Sequence, residues 1–206
     1  MIDLFVLLTF VPLALALNLT PGADMMFCLA QGLRGGPRPA LAAAAGVSMG
    51  GMVNASLAGL GLGALIASVP HLFDAIRWIG VAYLLVLAVR TLRRPLKLCD
   101  APPIRVRRAF RDGFIINLTN PKVIFFILAF IPQFVDPTRP VLPQFLIFGA
   151  VIGIGGFIVN GLVGSFAGGL GRALARDPRI DRALRWATGA VFAGLAIKLA
   201  LEARRA

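Results

Sequence analysis

Six long apolar runs, separated by short polar or basic segments, divide the chain. They extend over residues 4–27, 40–66, 73–92, 113–134, 144–170 and 184–202. Each approaches the roughly 20 residues that a helix needs to cross a bilayer, and none shows the strict alternation of a barrel strand. Because a lipid-exposed backbone must satisfy its own hydrogen bonds, the pattern predicts an all-α polytopic membrane protein with six transmembrane helices.

The composition excludes an ordinary soluble domain. Hydrophobic residues form 58% of the chain and charged residues 15%, whereas roughly a quarter of the residues in a soluble domain are charged. The first apolar run lacks a basic start, carries Asp3 instead, and is longer than the apolar part of a signal peptide. We therefore expect this run to be a membrane span rather than a cleaved leader.

Basic residues are distributed unevenly among the predicted loops. Of 21 Lys and Arg residues, 15 fall in the first, third and fifth loops and five fall on the other side, with Lys122 inside a span. Basic loops remain cytoplasmic, so both termini are predicted outside. The net charge of +12 is then a signal of topology and of contact with anionic lipids, which argues against nucleic-acid binding.

Polar, helix-breaking residues interrupt two of the runs. One interruption is Asn18-Leu19-Thr20-Pro21-Gly22, and the other is Asn117-Leu118-Thr119-Asn120-Pro121-Lys122. A proline removes a backbone donor and clashes with the carbonyl group one turn before it. The first and fourth helices are therefore predicted to be broken, with a solute between the two breaks.

The chemistry of such breaks favours a dipolar solute. Carbonyl groups before each break and amide groups after it lose their partners, and inside a membrane they need new ones. Free amides attract anions and free carbonyls attract cations, so two facing breaks could hold both ends of an amino acid. The polar side chains predicted to assist are those of Asn18, Thr20, Asn117, Thr119 and Asn120.

Two charged residues adjoin the breaks. Asp24, an ionisable residue expected within the bilayer, either binds an ammonium group or a proton, or caps the helix that restarts after Gly22. Three roles are open to Lys122: an ion pair with Asp24, a contact with a carboxylate, or snorkelling to the membrane surface.

Three further polar positions have weaker functional interpretations. Asn54 and Asn160 lie in the middle of spans, where interhelical hydrogen bonds are the favoured interpretation and a role in a pore is the alternative. Gln133 closes the fourth span near Asp136, at a predicted interfacial exit that could serve as a gate.

The order of motifs predicts an inverted repeat. Three features recur in the same order in both halves: Asn18-Leu19-Thr20 with Asn117-Leu118-Thr119, Gly50 and Asn54 with Gly156 and Asn160, and Arg77-Trp78 with Arg185-Trp186. Three spans per half make the second half enter the membrane upside down. We predict one transporter domain over 1–206, with repeats at 1–92 and 113–206 and a basic cytoplasmic linker at 93–112.

Glycines at four-residue spacing recur in the second and fifth spans. Such spacing lets helix backbones approach closely. Structural packing is the favoured interpretation, and smooth surfaces for helix sliding or for a dimer contact are the alternatives. The pairs are Gly46/Gly50, Gly59/Gly63, Gly149/Gly153 and Gly164/Gly168.

Residues for catalysis or for metal binding are scarce. The sequence has one histidine, His71, in a predicted loop, and two cysteines, Cys28 and Cys99, that are not placed to pair. Neither a nucleophile with a base nor a metal cluster is evident, and nucleotide-binding motifs are not recognisable. We predict no cofactor, no metal and no enzymatic activity.

The motifs together resemble those of the lysine exporter (LysE/RhtB) family of amino-acid efflux proteins. The resemblance covers essentially the whole chain. It depends on the stretch from Asn18 to Asp24, on Gly80-x-x-Tyr83-Leu84, on the stretch from Asn117 to Lys122, and on Phe125-Phe126 and Pro132-Gln133-Phe134. Ala23 departs from the pattern, because members of the family often have a second proline there.

This resemblance implies proton-coupled export of a small amino acid or derivative (threonine, homoserine, homoserine lactone or lysine) across a bacterial inner membrane by a homodimer. It also implies which residues bind substrate or couple transport: Asn18, Thr20, Pro21, Gly22, Asp24, Asn117, Asn120, Pro121 and Lys122. The sequence leaves open which solute moves and whether protons or sodium ions drive it. The alternatives are a membrane-embedded enzyme, which would change its solute chemically, and a passive channel, which could not export against a gradient.

Overall fold

Every regular element in the described part of the chain is helical, as predicted. The computed structural model describes residues 2–68 and 105–167, with isolated helical positions between 78 and 93 and between 182 and 201. Within the two long segments, six α-helices are present: α1 (Leu4–Leu19), α2 (Ala23–Gly35), α3 (Pro37–Ser68), α4 (Val106–Leu118), α5 (Pro121–Phe130) and α6 (Val141–Ser165). A 3-10 helix, Ile131–Phe134, follows α5.

Two of these helices are long and apolar enough to cross a membrane by themselves. They are α3, over Pro37–Gly61, and α6, over Val141–Ser165, with 25 residues each. The pairs α1/α2 and α4/α5 also qualify if each counts as one span, with bends of 56° and 52° at their breaks. The breaks predicted in the first and fourth helices are therefore present. The predicted spans at 73–92 and 184–202 lie outside the described residues, apart from the isolated helical positions.

The prolines act differently at the two breaks. Pro121 is the first residue of α5, where its missing amide costs nothing, and the Asn120 side chain caps the helix by accepting from the Lys122 amide at 3.0 Å. Pro21 instead lies between helices, after Thr20 ends α1 and before Gly22 caps α2. If Pro21 is aligned with Pro121, Thr20 corresponds to Asn120. This alignment is shifted by one residue from the alignment that matches the two Asn-Leu-Thr triplets.

Helix α4 begins inside the segment predicted as a linker. Its first turns carry exposed arginines, while Ala109 and Gly113 on the opposite face are buried. Arg108 and Asp112, one turn apart, form an ion pair at 3.4 Å. A basic stretch with a small apolar face can therefore extend a helix beyond the apolar run. Residues 94–104 of the predicted linker lie outside the described residues.

A cluster of aromatic side chains packs α1 against α5 and α6. Phe10 of α1 lies 4.7 Å from Phe148 of α6 and 6.4 Å from Phe126 of α5, between ring centroids. Phe126 stacks on Phe130 at 4.8 Å. Apart from Phe134, which packs at the edge of the cluster 5.2 Å from Phe10, these rings are fully buried. The cluster thereby connects the helix that precedes the first break with the helix that follows the second break.

Glycines set the closest helix contacts. Helix α3 packs most extensively against α6 and α4, and a methyl group added at Gly46 of α3 would overlap the carbonyl oxygen of Phe110 in α4. A methyl group at Gly32 of α2 would likewise overlap the carbonyl of Gly164 in α6. These contacts support the packing interpretation of the small-residue pairs. The surroundings of Gly63 and Gly168 lie outside the described part of the structure.

Replacing Gly46 with alanine is expected to lower the melting temperature of the protein in detergent. The added methyl group forces α3 and α4 apart, and overpacking of this kind costs about 1–3 kcal/mol. Gly61→Ala on the same helix is the matched control, since no described atom lies within 4 Å of the added methyl group. Equal melting temperatures for the two variants would contradict the close contact at Gly46.

Candidate functional site

The two helix breaks face each other and are bonded across the chain. Asn117 Nδ2 at the end of α4 donates to Asp24 Oδ2 in α2 at 2.8 Å, and Lys122 Nζ in α5 donates to the Thr20 carbonyl oxygen at 2.8 Å. All four residues are buried. Each break therefore supplies one polar partner to the other, over sequence separations of 93 and 102 residues.

The bond from Lys122 to Thr20 follows from the break itself. In a continuous helix the Thr20 carbonyl would accept from the amide four residues later, but the chain leaves the helix at Thr20. The carboxyl end of a helix carries partial negative charge, and the Lys122 ammonium group satisfies it. Gly22 leaves room for this, since a methyl group there would lie 3.3 Å from Lys122 Nζ.

The structure does not show two of the three roles predicted for Lys122, which are snorkelling and an ion pair with Asp24. Snorkelling is wrong, because Lys122 is 8% exposed and its ammonium group is bound inside the protein. Among the described residues, Lys122 and Asp24 do not form an ion pair, because their nitrogen and oxygen atoms do not come within 4.0 Å of each other. A contact with a carboxylate remains a prediction.

Asp24 does not cap α2. Gly22 occupies the cap position without a side-chain hydrogen bond, and Asp24 is the second residue of the helix. The carboxylate still lies in the first turn, where the helix amino end favours negative charge. One of its oxygens accepts from Asn117, and the other, Oδ1, has no partner among the described residues. The capping interpretation is therefore wrong, and Asp24 remains a candidate for binding.

Helices α3 and α6 contribute polar groups to the same region. Asn18 Nδ2 donates to the Ile152 carbonyl at 3.1 Å, and Ser48 Oγ donates to the Gly153 carbonyl at 2.9 Å. Asn54 Nδ2 donates to the Asn117 carbonyl at 3.2 Å, which confirms its interpretation as an interhelical hydrogen bond. Two backbone oxygens of α6 thus accept hydrogen bonds from side chains of α1 and α3.

A small cavity lies where these helices meet. It offers about 20 Å³ to the centre of a water molecule, which is room for about one water. A solute larger than a water molecule therefore enters only if the surrounding helices separate. The polar side chains and glycines in its lining are Asn18, Thr20, Ser48, Gly51, Asp24, Asn117, Lys122, Gly153, Gly156 and Asn160.

Five of the nine predicted site residues line this cavity: Asn18, Thr20, Asp24, Asn117 and Lys122. The other four, Pro21, Gly22, Asn120 and Pro121, shape the breaks without lining it, and Pro121 is exposed. Thr119 is also exposed, and its hydroxyl donates to the Ile115 carbonyl of its own helix at 2.9 Å.

Sequence reasoning missed Ser48, and it favoured a packing role for Asn160. The signal was present for Asn160, a polar residue four positions after Gly156 on an otherwise apolar helix. For Ser48 the sequence offers no such signal, because a serine in a helix commonly bonds to its own backbone.

Hydrogen bonds fix the local structure of the predicted exit segment. Gln133 Nε2 donates to the Ala129 carbonyl at 2.6 Å, and the Asp136 amide donates to Gln144 Oε1 at 2.9 Å. The Thr138 hydroxyl and amide both bind the Asp136 carboxylate and hold its pKa below the ordinary value, with a smaller contribution from Arg139. The role of this segment as a gate stays a prediction.

Metal ligands are scarce in the described residues. Among the described residues, no three His, Cys, Asp or Glu side chains lie together so that they could hold a metal ion, and Cys28 is a buried free thiol. The site consists of amides, hydroxyls, one carboxylate, one ammonium group and backbone carbonyls. Such groups bind polar solutes and ions.

Comparison with known proteins assigns the chain to a family. The model of the LysE type translocators matches residues 15–203. A protein of Vibrio cholerae named as an uncharacterised membrane protein is 35% identical over 96% of this chain and 98% of its own length. A homoserine/homoserine lactone efflux protein of Salmonella typhimurium is 32% identical over 85% of this chain and 86% of its own length. No solved structure matches the chain significantly.

The family is one of translocators and not of enzymes, in keeping with the apolar helices and the breaks described above. Its model spans both breaks and both long helices. The resemblance seen in the motifs is thereby confirmed, and the chain belongs to the LysE type translocator family.

Proposed function

We propose that this protein is a secondary exporter of a small amino acid or amino-acid derivative of the homoserine, homoserine lactone, threonine or lysine class. Export is driven by protons moving inward and proceeds by alternating access around the two breaks. The observation that carries the proposal is the mutual bonding of the breaks, with Asn117 on Asp24 and Lys122 on Thr20, each at 2.8 Å. Relatives named for efflux of homoserine and its lactone support the solute class.

The site suits a solute with separated charges. Asp24 offers a carboxylate to an ammonium group, and Lys122 offers an ammonium group to a carboxylate. Both charges are buried, where each interacts more strongly than in water. A zwitterion entering between the breaks can bond to the Asp24 oxygen that lacks a partner among the described residues and to the Lys122 ammonium group, so each end of the solute meets the opposite charge.

The small cavity supports alternating access rather than an open pore. With room for about one water, the site is closed to a larger solute in this conformation. Gly153 and Gly156 of α6 line it, and smooth glycine faces let a helix shift against its neighbours without moving side chains. A passive channel would need a continuous path.

Proton coupling is proposed to depend on Asp24. A carboxylate can hold either an ammonium group or a proton, but the proton removes the charge that attracts the ammonium group. Competition between the two at a single residue links inward proton movement to outward solute movement. Ionisable residues inside a membrane commonly serve as such relays.

The remaining architecture is proposed on the sequence pattern. It comprises six spans arranged as two inverted three-helix repeats, a homodimer in a bacterial inner membrane, and both termini outside. Loops rich in arginine then face the cytoplasm, and the two breaks enter the site from opposite sides of the bilayer.

Proteoliposomes containing the protein are expected to release homoserine, its lactone or another member of the class unchanged and against a concentration gradient. An imposed inward proton gradient should accelerate release. The measurement is efflux of labelled solutes from a loaded panel, with and without the pH difference and with sodium replaced by choline. Release that is only ever downhill would favour a channel, and chemical change of the solute would favour an enzyme.

The variant Asp24→Asn is expected to lose gradient-driven efflux while still inserting into the membrane. The amide keeps the size of the side chain and can still bond to Asn117, but it neither carries a charge nor binds a proton at neutral pH. Asp3→Asn is the matched control, because Asp3 is exposed at the start of α1 and asparagine caps a helix equally well. Normal proton-driven efflux by Asp24→Asn would exclude the proposed coupling.

A further inference from the structure

Three buried oxygen atoms that can accept hydrogen bonds belong to residues that line the cavity between the breaks. They are Asp24 Oδ1, Asn117 Oδ1 and Asn160 Oδ1, and none has a hydrogen-bond partner among the described residues. The three residues line the same cavity and are 8%, 4% and 4% exposed, respectively. Leaving a buried acceptor unpaired is costly, so three of them around one cavity indicate a ligand that donates hydrogen bonds.

The orientation of these atoms is set by the bonds around them. Asn117 uses its amide nitrogen on Asp24 Oδ2, which leaves Asp24 Oδ1 and Asn117 Oδ1 for another partner. Gly51 adjoins Asn117 Oδ1, since a methyl group there would lie 3.5 Å away. A methyl group at Gly156 would lie 3.2 Å from Asn18 Oδ1 and 4.0 Å from Asn160 Nδ2. The two glycines therefore leave the space that the cavity occupies.

We propose that this cavity binds the primary ammonium group of the exported solute, and that Asn160 is a substrate-binding residue together with Asp24 and Asn117. An ammonium group has three N–H donors for three acceptors, whereas a water molecule has two. The head group is about as large as a water molecule, and the cavity has room for about one. The Asp24 carboxylate supplies the opposite charge. That the bound cation is the exported solute depends on the function proposed above.

Lys122, which also lines the cavity, determines how the solute lies. Lys122 is held at the Thr20 carbonyl and is the one cation among the residues lining the cavity. A carboxylate on the solute therefore lies toward Lys122, with the ammonium group toward Asn160. Homoserine and homoserine lactone share the ammonium group, but the lactone has no carboxylate. The ammonium group is thus the element required for recognition, and the carboxylate is secondary.

Equilibrium binding to the purified full-length protein tests this assignment independently of transport. The probe is radiolabelled homoserine in detergent, displaced by unlabelled homoserine, homoserine lactone or N-acetylhomoserine. Homoserine and its lactone are expected to displace the label at similar concentrations. N-acetylhomoserine, which lacks the ammonium group, is expected to need at least roughly tenfold more, as for loss of a hydrogen-bonded charge. Equal displacement by the acetylated compound would overturn the proposal.

Variants at Asn160 separate an acceptor role from a structural one. Asn160→Ala is expected to raise the Kd for homoserine roughly tenfold, whereas Asn160→Asp keeps an acceptor oxygen and should bind within roughly threefold of the natural protein. Ser56→Ala, which removes only a bond to the Met52 carbonyl of its own helix, is the matched control and should not change the Kd. If Asn160→Asp weakens binding as much as Asn160→Ala, the side chain acts as a donor and the proposal fails.

Sodium ions could also be bound by three oxygen acceptors, and the assay distinguishes them. Replacing sodium with choline should leave the effect of Asn160→Ala on homoserine binding unchanged. If the effect disappears without sodium, the cavity binds the coupling ion and the proposal is overturned.

If homoserine binds as expected but no solute leaves proteoliposomes, the exporter function fails while the ammonium site stands. If solute leaves proteoliposomes but neither Asn160→Ala nor acetylation weakens binding, the exporter function stands and the ammonium site fails.

Discussion

The structure depends on one constraint: backbone polar groups freed by a helix break inside an apolar protein must find partners. An unpaired carbonyl or amide in such surroundings costs several kcal/mol, and a single break has few partners of its own. Here the two breaks supply each other. The Thr20 backbone carbonyl accepts from the Lys122 ammonium group, and the Asp24 carboxylate accepts from the side-chain amide of Asn117, so each break supplies a polar partner to the other.

That mutual dependence explains how a stable fold can also contain a labile site. The aromatic cluster around Phe10, Phe126 and Phe148 and the glycine contacts of α3 are apolar and tightly packed. The polar groups between the breaks, in contrast, are the ones that we propose to bond to a solute. Three acceptors near them remain unpaired among the described residues. Packing thus fixes the positions of the breaks, while the polar groups stay available.

The sequence was sufficient to predict the two breaks but not the hydrogen bonds that connect them. Prolines next to asparagine and threonine in apolar runs predict broken helices from local chemistry, and both were found. Which atom bonds to which depends on the angle and level at which distant helices meet, and no local pattern contains that. Lys122 illustrates the difference: its place beside Pro121 was evident, but its bond to the Thr20 carbonyl needed the packing of α1 against α5. For the same reason Asn160 was interpreted as a packing residue, and the start of α4 was taken for a linker.

Chemical cross-linking between the breaks tests the central claim most directly. Cysteines replace Asp24 and Asn117 in a chain whose Cys28 and Cys99 are changed to serine, and a short bifunctional thiol reagent is applied in membranes. The comparison pair, Leu33→Cys with Asn117→Cys, places the first thiol about 14 Å further along α2. Our account predicts an efficient intramolecular link for the Asp24/Asn117 pair and little for the comparison pair. Equal or absent linking in both would contradict it.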